Sequence, residues 1–92
     1  MDKEEQVKLI KLAIDSINFL RTQHYMNGEF PAWRTRVSEL LQKIYGEDSR
    51  EYRRFTNAPG KSFVVRTETG MREEYQRKLD CYETALESLV EE

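Results

Sequence analysis

The chain has 92 residues, of which 38% are apolar and 35% are charged, with a net charge of −2 at neutral pH. A chain of this length forms one small domain (residues 1–92) with a thin core and a well-solvated exterior. One cysteine excludes an intrachain disulfide, and a single histidine leaves no His/Cys set for a metal. There is no charged-then-apolar leader and no long apolar run, so we expect a cytoplasmic protein without a membrane partner.

The charge is unevenly distributed along the sequence. Residues 1–29 carry a net charge of −1, residues 30–66 carry +4 and residues 67–92 carry −5. Two interpretations stay open. Either the acidic C-terminal segment neutralises the basic middle in the folded domain, or the basic middle forms an anion-binding patch.

The first predicted helix spans residues 2–25. Asp2 followed by Glu5 resembles a capping box, and apolar residues then recur at three- and four-residue steps over a wide stripe. Asn27 and Gly28 end the helix because both tolerate positive φ. We interpret His24, near its end, as a surface residue, since no nucleophile stands at a spacing typical of catalysis.

Residues 30–55 organise the predicted domain. Pro31 begins a second helix, on which Trp33 opens an apolar face, and we expect this tryptophan in the core. Gly46 ends the helix with a positive φ, and Asp48 caps a short helix that follows. The sequence therefore predicts a middle helix that is broken near Gly46.

The final third of the chain is predicted as an ordered loop followed by a long helix. Residues 57–70 contain a turn at 57–60 and a short extended piece at 62–65. From Met71 to the end, apolar residues alternate at four and three residues, which predicts a heptad-like seam on the last helix. This C-terminal seam comprises Tyr75, Leu79, Tyr82, Leu86 and Leu89. Cys81 is interpreted as a packing residue on this helix.

Together these elements predict an all-α fold: a small bundle of three main helices, the middle one broken near Gly46, with an ordered loop at 57–70. The stripe of the first helix and the C-terminal seam are two apolar surfaces in one small chain. We therefore predict a homo-oligomer, because one compact bundle is not expected to cover both.

The best candidate for binding chemistry is an arginine cluster after Gly46. Arginine presents a planar fork to phosphates, and aromatic rings offer faces on which bases stack. The predicted ligand-binding residues are Arg50, Tyr52, Arg53 and Arg54, with Lys61 from the loop and Arg34 from the preceding helix. The alternative is a solvated face whose arginines form ion pairs with Glu39, Glu47 and Glu51 or with the acidic last helix.

The sequence contains no catalytic constellation, so we expect a non-enzymatic protein without a cofactor. The run Gly60, Lys61, Ser62 lacks the earlier glycine and the flanking strand of a phosphate loop. Adjacent carboxylates such as Glu73 and Glu74 point about 100° apart on a helix and are unsuited to shared acid/base work. Duplex nucleic acid is not an expected partner, because a chain with net negative charge repels a long polyanion.

One pattern of residues comprises Trp33, a leucine pair at 40–41, an aromatic-Gly-Glu-Asp-Ser turn at 45–49, Tyr52 and Phe55, and a C-terminal helix at 79–92. This pattern covers about two-thirds of the chain and resembles that of small helical domains of bacterial antiphage proteins. Such domains commonly precede an effector, and no effector segment follows Glu92 in this sequence. The resemblance implies an excised domain or a free-standing protein. A free-standing relative would be a phage-encoded sponge that sequesters an immune nucleotide signal.

These observations predict a binding module in phage–bacterium immune signalling that takes a small anionic, nucleotide-like signal as a homo-oligomer. Its setting would be the cytoplasm of a bacterium or of a phage-infected host cell. The alternative function is a protein–protein interaction or oligomerisation adaptor, without a small ligand, that uses the C-terminal seam.

Overall fold

A computed structural model of the chain describes residues 2–60 and 66–91. Across these ranges the order of elements is α1 (Lys3–Arg21), α2 (Glu29–Tyr45), α3 (Arg50–Thr56) and α4 (Glu68–Glu91). The predicted all-α class is confirmed. The expected three main helices become four in the described chain, because residues 46–49 separate α2 from α3 completely. None of these helices has the length and apolar content needed to cross a membrane.

The predicted cap of α1 is confirmed, whereas its predicted end is not. The Asp2 side chain accepts a hydrogen bond from the backbone N–H of Glu5 at 2.8 Å. The helix ends at Arg21, four residues earlier than expected. Gly28 has a φ of −84°, so it does not use the positive φ that glycine permits. Asn27 instead accepts from the N–H of Phe30 at 2.8 Å, which satisfies a free amide in the first turn of α2.

Gly46 separates α2 from α3 as predicted. Its φ is 98°, and its N–H donates to the carbonyl of Gln42 at 2.9 Å. The cap of α3 is Ser49, not Asp48 as the sequence suggested. The Ser49 hydroxyl accepts from the N–H of Tyr52 at 3.1 Å and donates to the Gly46 carbonyl at 2.6 Å. Asp48 lies one residue too early for this contact, and its side chain is fully exposed.

The predicted loop at 57–70 is shorter than expected. The turn at 57–60 is confirmed, since Gly60 donates to the carbonyl of Asn57 at 3.0 Å and has a φ of 62°. The chain becomes helical at Glu68, three residues before Met71, because the Thr67 hydroxyl accepts from the N–H of Gly70 at 3.0 Å. The predicted extended piece at 62–65 lies outside the described residues.

All four helices contribute to one core. Trp33 is 3% exposed, as predicted, and its indole N–H donates to the Ala13 carbonyl at 3.2 Å. The rings of Trp33, Phe55 and Tyr82 lie within 6.0 Å of one another, centroid to centroid. The large side chains that are almost completely buried are Phe55, Ile10, Ile17, Leu20, Leu41, Leu79 and Leu86. Aromatic contacts and aliphatic burial together hold α2 and α3 against α1 and α4.

The C-terminal seam belongs to this core. All five of its residues are buried within the single chain, and α1 packs along α4. The expectation of two uncovered apolar surfaces is therefore corrected, because the α1 stripe and the seam cover each other. The exposed apolar residues of α1 are Leu12 and Phe19, which lie outside this contact.

Candidate functional site

The seven residues of α3 divide the predicted binding cluster between two sides of the helix. Phe55 is completely buried, and Tyr52 is half-buried against the core. Arg50, Arg53 and Arg54 are exposed on the other side, at the i, i+3 and i+4 positions that share a helix face. We call these three residues the α3 arginine face. Because Tyr52 packs on the core side, its ring lies apart from the guanidinium groups that it was expected to accompany.

The α3 arginine face lines one shallow surface cavity of about 490 Å³, which we call the arginine cavity. Asp48 and Asn57 complete its described lining. Asp48 lies 3.8 Å from the nearer nitrogen of Arg53, and the Arg53 side chain is 65% exposed. An exposed ion pair at this distance is weak, so the guanidinium of Arg53 stays accessible to another anion.

Arg54 lies at the border between the arginine cavity and a groove of about 440 Å³ between α3 and α4. Its guanidinium donates to the Ser88 hydroxyl of α4 at 3.1 Å, and that hydroxyl donates to the Ala85 carbonyl at 2.7 Å. Besides Arg54, the groove is lined by Ala58, Asp80, Cys81, Thr84, Ala85 and Ser88. Methyl and thiol groups thus adjoin the cationic surface directly.

Arg34 lies in a neighbouring cavity of about 410 Å³, which we call the Arg34 cavity. Its described lining consists of Arg34, Thr56, Asn57, Pro59, Gly60, Lys78 and Tyr82. Asn57 belongs to this cavity and to the arginine cavity. The fold therefore brings Arg50, Arg53 and Arg54 together, places Arg34 in the adjoining cavity, and leaves Tyr52 on the core side. Lys61 lies outside the described residues.

The recorded ion pairs of α4 do not involve the α3 arginine face. Arg21 of α1 lies 2.6 Å from Asp80 and 3.4 Å from Glu83, so α1 uses two of the acidic groups of α4. Two further pairs lie within α4 itself, Arg72–Glu68 at 3.0 Å and Arg77–Glu74 at 2.5 Å. In the described chain, no ion pair joins the α3 arginine face to Glu47, Glu51 or α4. The positive charge of α3 therefore remains at the surface.

Arg77 connects α4 to the turn that follows α3. It donates to the Pro59 carbonyl at 2.8 Å, and its Nη1 lies 3.8 Å from the Cys81 sulfur. Hydrogen bonding from Arg77 holds the pKa of the Glu74 carboxyl below its ordinary value, and the same contact raises the pKa of Arg77. The hydrogen bond from Arg77 to Pro59 holds the turn at 57–60 beside the Arg34 cavity.

A further cavity, of about 370 Å³, is lined by titratable groups that include Arg21, His24 and Arg72. His24 is exposed and stacks on Tyr25 at 4.3 Å, while its Nδ1 accepts from the N–H of Met26 at 3.0 Å. Over residues 2–60 and 66–91, no three or more His, Cys, Asp or Glu side chains are grouped so as to hold a metal ion. Both arginines of the 370 Å³ cavity are ion-paired, Arg21 with Asp80 and Glu83 and Arg72 with Glu68, so this cavity presents less unpaired positive charge than the arginine cavity.

Among the cavity-lining residues that sequence reasoning did not assign to the site are Asn57, Lys78 and Tyr82. Asn57 had a usable signal, because it follows Arg53 and Arg54 by four and three residues and so continues their helix face. Lys78 and Tyr82 had none, since only the packing of α4 against α3 brings them there.

Comparisons of this chain with models of protein families, with curated proteins and with solved structures find no match. The resemblance to antiphage domains thus rests on the sequence pattern, and the function must be argued from the α3 surface.

Proposed function

We propose that this chain is a non-enzymatic module that binds a small anionic, nucleotide-like ligand on the α3 arginine face. The observation that carries the proposal is the convergence of three exposed guanidinium groups on one cavity without neutralisation by α4. Each guanidinium offers five N–H donors in a planar arrangement that matches the oxygens of a phosphate. Lysine would keep a surface soluble equally well, whereas arginine favours recognition of a planar or tetrahedral oxyanion.

The size and surroundings of the arginine cavity favour a small ligand. A volume of about 490 Å³ lies in the range of small-molecule sites. The adjoining groove presents Ala58, Ala85 and the half-buried Cys81 to a ring that extends past Arg54. A phosphate on Arg50 and Arg53 with a base over the groove would use both surfaces. In this arrangement the base contacts the groove and not Tyr52, which packs against the core.

The biological setting that we propose follows from the sequence pattern of antiphage domains. A module that binds a nucleotide signal without altering it lowers the free concentration of that signal, which is how a sponge acts. Such a protein would work in the cytoplasm of a bacterium or a phage-infected cell. Sequestration requires affinity and abundance, and it requires no catalytic group.

A thermal-shift screen across linear and cyclic nucleotides tests the proposal. A ligand that binds the folded state raises its stability by RT ln(1 + [L]/Kd), about 2.7 kcal/mol at one hundred times the dissociation constant. We expect at least one nucleotide to raise the melting temperature, and Arg53→Ala to abolish the rise. Arg36→Ala is the matched control, because Arg36 is exposed on α2 and lines none of the three cavities. Equal loss in both variants would show that the effect is non-specific charge attraction.

A second candidate function is self-association or binding of a protein partner through α1. Leu12 and Phe19 are each 54% exposed, and their seven-residue spacing places them on one side of the helix. This apolar pair, instead of the buried C-terminal seam, is the surface on which the homo-oligomer proposal now rests. It is compatible with ligand binding on α3, since neither residue lines the arginine cavity.

A further inference from the structure

Tyr82 is part of the aromatic core and also lines the Arg34 cavity. The residue is 2% exposed, and its ring lies 4.8 Å from that of Phe55, centroid to centroid. No hydrogen-bond partner for its hydroxyl occurs among the described residues. In the same part of the chain, no side-chain polar atom is both fully buried and unpartnered. Tyr82 also lines the Arg34 cavity, so its side chain reaches from the core to the cavity that Arg34 and Lys78 line.

The remaining polar groups of the Arg34 cavity are mostly hydrogen-bond donors. Arg34 of α2 is exposed and Lys78 of α4 is half-buried, and neither forms an ion pair within the described residues. The cavity lining, as far as the structure describes it, contains no aspartate or glutamate. A guanidinium, an ammonium, an amide and a phenol hydroxyl without a partner among the described residues line one cavity. These groups suit a phosphate, which offers only acceptor oxygens when it is fully ionised.

We infer that the Arg34 cavity is a second anion subsite and that the ligand is a nucleotide with two separate phosphate groups. This inference rests on the proposed function, since the first phosphate would occupy the α3 arginine face. Asn57 lines both cavities and follows Arg53 by four residues, a rise of about 6 Å along a helix. Two phosphates on opposite sides of one ribose, or on successive nucleotides, would reach both cavities across Asn57.

Two probes with the same base test whether the protein binds one phosphate group or two. They are adenosine 5′-monophosphate and adenosine 3′,5′-bisphosphate. Once the first phosphate is bound, the second binds as an intramolecular event, so we expect the bisphosphate to bind at least about tenfold more tightly. Isothermal titration calorimetry at fixed ionic strength measures both affinities, because salt competes with exposed charges.

Variants of the second subsite should lower the affinity for the bisphosphate and leave the affinity for the monophosphate unchanged. Lys78→Ala and Arg34→Ala should bring the affinity for the bisphosphate close to that for the monophosphate. Tyr82→Phe keeps the buried ring and deletes the hydroxyl, so it should lower the affinity for the bisphosphate without unfolding the core. Lys43→Ala and Arg36→Ala are controls, since both residues are exposed on α2 outside these cavities.

The outcomes separate this inference from the proposed function. Equal affinity of the parent for both probes would overturn the second subsite and leave the arginine cavity as the site. Equal weakening of both probes by Lys78→Ala would also overturn it, because Lys78 would then act on the first phosphate. Absence of binding by either probe, together with a negative nucleotide screen, would overturn the proposed function and this inference with it.

Discussion

Gly46 has a backbone conformation that residues with a side chain rarely adopt. Its φ is 98° and its ψ is 154°, a region accessible almost solely to glycine. Gly46→Ala should therefore lower the free energy of unfolding by about 1–3 kcal/mol, measured by urea denaturation. Apart from Gly46 and its two chain neighbours, no atom of the described residues lies within 4 Å of a Cβ added there, so backbone strain would cause the loss.

Gly28 is the matched control for this substitution. Its φ is −84°, and a Cβ added there also meets open space. Gly28→Ala should change the free energy of unfolding by less than about 0.5 kcal/mol. If the two variants lose equal stability, positive φ is not what requires glycine at position 46.

Ser49 and Asp48 provide a second comparison at the residue scale. Ser49→Ala removes the side-chain cap of α3 and should cost about 1 kcal/mol in urea denaturation. Asp48→Ala should leave the denaturation midpoint nearly unchanged, because its side chain is fully exposed and its ion pair with Arg53 is long. The reverse order of effects would restore Asp48 as the cap.

At the scale of elements, α4 is stabilised mainly by its buried seam. Leu86 is completely buried between α4 and the rest of the core. Leu86→Ala should lower the free energy of unfolding by about 2–5 kcal/mol, through lost burial and the cavity that remains. Met71→Ala near the start of α4 is the control, with an expected loss below about 1 kcal/mol because this side chain is exposed. A stable Leu86→Ala monomer would contradict the assignment of the seam to the core.

The elements were largely predictable from the sequence because their signals are local. Apolar periodicity predicted the helices, and Asp2 and Gly46 marked one start and one end correctly. Asp48 and Ser49 are both good capping residues one position apart, so the sequence alone favoured neither decisively. The division of α3 into a core side and an arginine face follows from the helical period of its sequence. The placement of Arg34 and Lys78 around one cavity depends on long-range packing that no local pattern encodes.

At the scale of the whole molecule, we predict that two copies of the chain associate through α1. Burying Leu12 and Phe19 against a second copy would remove the apolar side chains that α1 leaves exposed. Light scattering at tens of micromolar should give a mass of at least two chains of 11.0 kDa, and the double variant Leu12→Ser, Phe19→Ser should give a single chain. A single-chain mass for the parent protein would contradict self-association and would leave nucleotide binding untouched.

The distribution of charge over the whole fold explains why α3 is the proposed binding surface. Asp80 and Glu83 of the acidic last helix pair with Arg21 on α1, on the contact that holds α1 against α4. The α3 arginine face consequently keeps its charge although the chain as a whole is acidic. Because these side chains are exposed, ligand binding should weaken as ionic strength rises.

The most direct test is the dissociation constant of the nucleotide that gives the largest thermal shift, measured for the parent and for single arginine variants. Each charge-assisted contact contributes about 1.5–3 kcal/mol, so Arg50→Ala and Arg53→Ala should each weaken binding roughly tenfold to a hundredfold. Arg36→Ala should leave affinity within about twofold, and all three variants should melt near the parent temperature. Equal affinity of all four proteins, or lower melting temperatures with no binding by the parent, would contradict the assignment of α3 as an anion-binding face.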